Sequence, residues 1–152
     1  MNERFVNVFV DGLMNYIKHL EKIHADVGTP YLLENTDPIL HEVTGIIGVS
    51  GTNKGCVYFT ATRAILRQIA TIQGDDSIDD GGLLDLAGEI ANTIAGNARS
   101  VFGKQFMISV PSVVEGNENS LHLPADVRSF AIPIEWGDFG PVLIVCLDKD
   151  QF

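Results

Sequence analysis

The chain has 152 residues, 45% of them apolar and 20% charged, with a net charge of −10 at pH 7 and a pI near 4.6. That composition fits one globular domain over residues 1–152 with a single core, and it excludes a disordered chain. The acidic balance, with cations as scattered as Arg63, Arg67, Arg99 and Lys104, excludes a nonspecific grip on nucleic-acid phosphates or on an anionic lipid surface.

From Asn2 to about His24, apolar residues (Phe5, Val6, Phe9, Val10, Leu13, Ile17, Leu20, Ile23) recur at spacings of three and four. This predicts an amphipathic helix of about six turns, capped by Asn2 and stopped by Gly28 and Pro30. Tyr31–Leu33 reads as a short strand. Val43–Ser50 and Cys56–Thr60, joined by Gly51-Thr52-Asn53-Lys54-Gly55, read as a hairpin. Thr62 caps a predicted helix carrying Ile65, Leu66, Ile69 and Ala70, and Gly74 ends it. The acids Asp75, Asp76, Asp79 and Asp80 gather where a helix N-terminus favours negative charge, without the alternation of a calcium loop. A long helix follows, Leu83 to Phe102, closed by Gly103.

Beyond that helix the period changes to two. Phe106–Val110, Ser112–Glu115, Ser120–Leu123, Arg128–Glu135 and Pro141–Asp148 are predicted strands, with turns at 116–119 and 136–140. Pro111, Pro124, Pro133 and Pro141 suggest edges or bends in that sheet. No apolar run reaches membrane-spanning length, and Glu3, Asn7 and Asp11 break the N-terminal apolar pattern. The expectation is a soluble, cytoplasmic protein in which Cys56 and Cys146 are buried reduced thiols.

Most chemical motifs are missing. Residues 51–55 contain a lysine but not the spacing of a phosphate-binding loop, no G-x-G-x-x-G opens a helix, and no serine sits in a nucleophile elbow. His19, His24, His41 and His122 lack a second ligand at metal spacing and read as surface residues, so no metal site is expected. The long helix remains. At about 100° per residue, Leu83, Ala87, Ile90, Ile94, Ala98 and Val101 share one stripe, and Asp85, Glu89, Asn92, Gly96 and Arg99 share the opposite one. Asn92 and Gly96 are poor helix formers in mid-helix, where a merely solvated face would carry Glu, Lys or Ala. An acid and an amide one turn apart are nevertheless common on exposed helices, and the spacing alone carries little.

The wider run Gly88-Glu-Ile-Ala-Asn-Thr-Ile-Ala-Gly-Asn-Ala-Arg99, with Asp85 ahead of it, closely resembles the signature of the CheC/CheX/FliY family of chemotaxis phosphatases, CheX most of all. Val43-Thr-Gly-Ile-Ile-Gly-Val and Lys54-Gly-Cys-Val before the helix, and Ile108-Ser-Val-Pro-Ser-Val-Val-Glu-Gly116 after it, match in order. The resemblance implies an α/β two-layer fold of the α+β kind, long helices packed on a largely antiparallel sheet. It implies hydrolysis of the aspartyl phosphate of a CheY-type response regulator that supplies its own Mg²⁺ and lysine, so the phosphatase needs no cofactor. Asn92 would orient the attacking water, and Glu89 would pair with the partner's lysine. Along the same stripe, Gly96 is read as letting the partner's backbone approach closely and Arg99 and Asp85 as flanking the contact; the resemblance also implies a homodimer. Two departures stand out: a shortened stretch from Asn92 to Pro111, and Gly12 where a second Glu-x-x-Asn would place Glu before Asn15. The alternative is a FliM-like scaffold module that docks response regulators without hydrolysis.

Overall fold

Two β-branched runs joined by glycine turns form the centre of the molecule. In a computed structural model that describes residues 3–20, 23–33, 40–116 and 127–148, strand β3 (Val43–Gly51) pairs with β4 (Gly55–Ala61). Gly51 and Gly55 hold positive φ values of 90° and 154°, and a Cβ at either would run into the backbone of Gln105 or Cys146. The predicted hairpin is present, with the turn one residue shorter at each end.

Around it lie α1 (Glu3–Lys18), β1 (Asp26–Val27), β2 (Tyr31–Leu33), α2 (Arg63–Ile72), α3 (Asp80–Phe102), β5 (Phe106–Ile108), β6 (Ser112–Glu115), β7 (Val127–Glu135) and β8 (Val142–Asp148). The sheet runs β1-β7-β8-β4-β3-β5, with β2 also on β7 and β6 also on β3, and every pairing is antiparallel. One face is covered by the helices. Val43 and Ile47 of β3, Val57 and Phe59 of β4, Phe130 and Ile132 of β7, and Leu143 and Val145 of β8 join Phe9, Leu13, Leu66, Ile69, Ile90 and Ile94 in the main core. The side chains of alternate register make a smaller cluster on the other face: Tyr58, Ala131, Ile144 and Cys146, flanked by Leu33, Leu40 and Cys56. This is the expected two-layer α+β arrangement, helices on an antiparallel sheet.

Local chemistry explains the element ends. Thr62 Oγ1 accepts from Ile65 N at 3.2 Å and caps α2, and Gly74 beyond its end has φ 90°. Asp79 Oδ1 accepts from Gly82 N at 2.8 Å and caps α3, so the acidic run before that helix serves as a cap and a first turn. The helix therefore starts at Asp80, three residues earlier than Leu83. Arg63 meets Glu42, Asp80 and Glu115 at 3.5, 2.7 and 2.5 Å, joining the starts of β3, α2 and α3 to the end of β6. Its hydrogen bond holds the Asp80 carboxyl below the usual carboxylate range.

The structure corrects several expectations. The first helix stops at Lys18, well short of His24. The N–H groups of His19 and Leu20 fold back onto Tyr16 and Ile17 carbonyls in a tighter turn that buries Leu20, and Asp26–Val27 then leave the helical path to pair with β7. Strand pairing there outweighs helical periodicity. Val101 is 61% exposed rather than part of the buried stripe. At that end of α3 the contact face turns toward Phe102, whose ring stacks on Phe5 at 4.7 Å and meets Phe106 at 5.1 Å. The strand from Phe106 ends at Ile108, because the Ser109 hydroxyl and N–H both bond to Gly48 backbone groups and bend the chain before Pro111. His41 is half-buried rather than a surface residue, its Nε2 bonded to the Gly140 carbonyl at 2.9 Å. Pro133 lies in the inner strand β7, not on an edge. It falls between the stretches paired with β1 and β2, and its carbonyl accepts from Gly28 N. The Asn2 cap, the Ser120–Leu123 strand, His122 and Pro124 lie outside the described residues.

Candidate functional site

The site residues ride on α3, so what fixes that helix fixes them. Glycines allow α3 to lie directly on the sheet. A Cβ on Gly45 of β3 would stand 2.4 Å from the Ala87 carbonyl oxygen, and one on Gly88 would stand 3.1–3.2 Å from Val113 and Pro111. Leu83, Ala87, Ile90, Ala91, Ile94 and Ala98 are buried beneath the helix. The buried face is wider than one stripe, because α1 and α2 also pack against α3. A helix held this firmly presents its opposite face as a fixed template.

On that face Asp85, Glu89, Asn92 and Arg99 are exposed and Gly96 is half-buried. Relative to Asn92, helical rotation places the other four between about −20° and +60°, so all five share one stripe. Glu89 and Asn92 lie about 4.5 Å apart along the axis. Neither side chain makes a hydrogen bond or ion pair with another described residue. The neighbouring Thr93 and Ser100 turn inward instead, their hydroxyls donating to the Glu89 and Gly96 carbonyls at 2.9 and 3.2 Å. Two polar neighbours are thus engaged with the backbone, and the acid and the amide are left available. A Cβ added at Gly96 would meet nothing within 4 Å, so no internal packing demands glycine there.

Helix α1 lies alongside, pinned by the rings of Phe5 and Phe9 against Phe102. Its Tyr16 receives a hydrogen bond from Gln73 Nε2 at 3.4 Å. Burial, with the negative charge of Glu89 adding to it, pushes the Tyr16 hydroxyl up to about 12, so it keeps its proton near neutral pH. The sequence reading missed Tyr16 as a neighbour of Glu89. It falls outside the apolar positions that marked the first helix, and no local pattern shows which helix it faces. Among the described residues no three His, Cys, Asp or Glu side chains come together to hold a metal ion. What the face offers is a carboxylate and an amide at fixed spacing, able to pair with a cation and to hold a water.

Comparison with known proteins gives this face a context. The family model described as chemotaxis phosphatase CheX matches residues 43–135, which include all of α3. No curated protein matches the chain. Several solved structures share its fold. A CheC-like superfamily protein from Shewanella sp. PV-4 is 27% identical, with TM-score 0.80, over 98% of this chain and 100% of that one. A chemotaxis protein CheX from Desulfovibrio desulfuricans is 23% identical, with TM-score 0.81, over 95% and 99%. The CheX–CheY–BeF3–Mg²⁺ complex from Borrelia burgdorferi contributes a chain 17% identical, with TM-score 0.75, over 95% and 98%.

Proposed function

The chain belongs to the family of the chemotaxis phosphatase CheX, and on that premise we propose that it hydrolyses the aspartyl phosphate of a CheY-type response regulator. The observation that supports this reading most is the exposed, unengaged pair Glu89 and Asn92 on a helix whose other face is fully packed. The Borrelia burgdorferi relative, whose complex contains CheY, BeF3 and Mg²⁺, supports the choice of partner.

In this mechanism the regulator brings the acyl phosphate together with its own Mg²⁺, which belongs to the substrate. Water attacks phosphorus, the bond from phosphorus to the aspartyl oxygen breaks, and inorganic phosphate and the regulator's free carboxylate are the products. Phosphoryl transfer of this kind is governed by positioning and charge more than by covalent help from the enzyme. The Asn92 carbonyl accepts from the attacking water while its NH₂ donates to a phosphoryl oxygen, a pairing a neutral amide can make without adding negative charge. Glu89, one turn earlier, pairs with a lysine of the regulator and sets the register of docking. Asp85 and Arg99 flank that contact along the same stripe, and Gly96 leaves room for the partner's backbone. The protein acts where its regulator does, in the cytoplasm, and among the described residues no helix is long and apolar enough to cross a membrane.

A homodimer belongs to the same proposal. The sheet ends on β5 and β6 at one side and on β1 and β2 at the other. Strands β7 and β8 are interior, so among the described residues of the late strand-rich half 106–115 supplies the edge to pair. Light scattering should give about twice the 16.5 kDa chain mass.

The test of function is loss of label from purified, phosphorylated response regulators of the same organism, with and without this protein. Accelerated release from at least one regulator is expected. Binding without acceleration would instead mark a docking module of the scaffold kind.

A further inference from the structure

Beside the Glu89–Asn92 stripe, α1 and α3 enclose a groove of about 390 Å³, within the range of about 300–1,000 Å³ typical of ligand sites. Its lining is unlike the rest of the surface. The chain carries 20 acidic residues, yet among the described residues no carboxylate, lysine or arginine lines this groove. Asn15 and Asn97, one from each helix, line it together with Tyr16. Each side-chain amide carries N–H donors and a carbonyl acceptor, the kinds of group a peptide bond presents. The Thr93 and Ser100 hydroxyls already donate to their own helix, and His19 Nδ1 donates to the Asn15 carbonyl at 2.7 Å, so these neighbours are tied to backbone groups.

Two interior helix glycines face this space from opposite sides. Gly12 has an internal reason: a Cβ there would stand 3.1 Å from Asn97 Nδ2, so its absence seats that amide. Gly96 has none, because nothing lies within 4 Å of where its Cβ would be. Glycine in a helix interior is less favourable than alanine, and an unfilled position on a groove wall that carries amides fits close approach by another backbone.

We propose that this α1–α3 groove is a second contact for the response regulator, receiving an uncharged main-chain loop of that protein next to the phosphoryl site. The inference rests on the phosphatase reading for the identity of the partner. It adds that α1, through Asn15, takes part in choosing it. A neutral groove matched to peptide groups reads the shape and hydrogen bonding of a loop, whereas Glu89 reads a charge.

The test measures the affinity of the 152-residue protein for a regulator carrying beryllofluoride as the phosphoryl mimic, using wild type, Asn15→Asp, Asn15→Lys and Gly96→Leu. Asn15 is exposed, so both charge variants should fold, and thermal melting checks each protein. A neutral main-chain occupant is disfavoured by either charge, so both Asn15 variants should raise Kd on the order of tenfold, and Gly96→Leu should do so by filling the space. Opposite effects of Asp and Lys would mean a charged occupant and overturn the proposal. Unchanged affinities in all three variants would also overturn it while leaving the phosphatase reading intact. If wild type itself bound no regulator, that reading would fall first and this inference with it.

Discussion

Helices α1 and α3 lie side by side, and each carries an exposed asparagine three residues after a telling position: Gly12 before Asn15, Glu89 before Asn92. The two positions are opposites. Gly12 is buried, with the amide of Asn97 where its side chain would be, whereas Glu89 stands free at the surface. An asparagine can position water anywhere it is exposed, but register on a partner needs an anchoring charge one turn away and open space around it. Helix α3 offers both. Helix α1 carries no charge three residues before Asn15 and packs against α3 as the other wall of the groove.

The sharpest test of that contrast is Asn92→Ala. If α3 alone is catalytic, activity should fall by a factor on the order of a hundred or more, equivalent to about 2.7 kcal/mol of transition-state stabilisation. The Asn92 side chain engages no described residue and alanine is the better helix former, so thermal stability should be equal or slightly higher. Full activity, or an unfolded variant, would end the assignment.

Glu89→Ala comes next in size. Its loss should weaken binding to the phosphoryl-mimic regulator by roughly 1–3 kcal/mol if the pair with the partner's lysine is desolvated at the contact. Glu89→Lys should be worse, since it places two cations face to face. The chain's charge of −10 sets a repulsive background against an acidic partner; salt near 0.15 M screens that background more than it screens a contact pair. Equal affinities for wild type and Glu89→Ala would leave Glu89 a solvated helix residue with no part in docking.

How much of this contrast was legible beforehand differs between the two helices. Helix α3 was readable because its signals agree: acids gathered ahead of it, Gly103 to close it, and an apolar stripe through Ala87, Ile90 and Ile94; only its start, capped by Asp79, was set three residues late. The sharing of one outward stripe by Asp85, Glu89, Asn92, Gly96 and Arg99 follows from rotation alone. Helix α1 was overextended because Leu20 and Ile23 keep the helical period while the chain has already turned to pair with β7 through Asp26 and Val27. A two-residue strand has no periodicity to detect. The groove was invisible for a similar reason. Gly12, Tyr16 and Asn97 belong to two helices whose relative rotation is set by the rings of Phe5, Phe9 and Phe102, and no local pattern encodes that. Nor did anything local show that Cys56 and Cys146, each in an apolar strand, would stand directly opposite one another on β4 and β8.

The smallest expected effect separates the two helices by their glycines. Gly12→Ala and Gly96→Ala make the same chemical change, and each replaces a helix-interior glycine with the best helix former. The intrinsic gain is therefore equal, at most about 1 kcal/mol. At Gly96 the new methyl meets nothing within 4 Å, so the gain should be realised almost entirely. For a chain of this size that is a rise in Tm of roughly 2–4 °C. At Gly12 the methyl would press on Asn97 Nδ2 at 3.1 Å, and the amide must move aside, losing part of its fit against α1. The Gly12→Ala protein should melt below the Gly96→Ala protein, and paired thermal scans read the difference directly. The ranking in function should run the other way for Gly96: the more stable Gly96→Ala protein should bind the regulator less tightly than wild type, because its methyl intrudes on space reserved for the partner. A Gly96→Ala protein that is both more stable and equally tight in binding would show that the glycine serves no partner, and that the two helices differ only in how they pack.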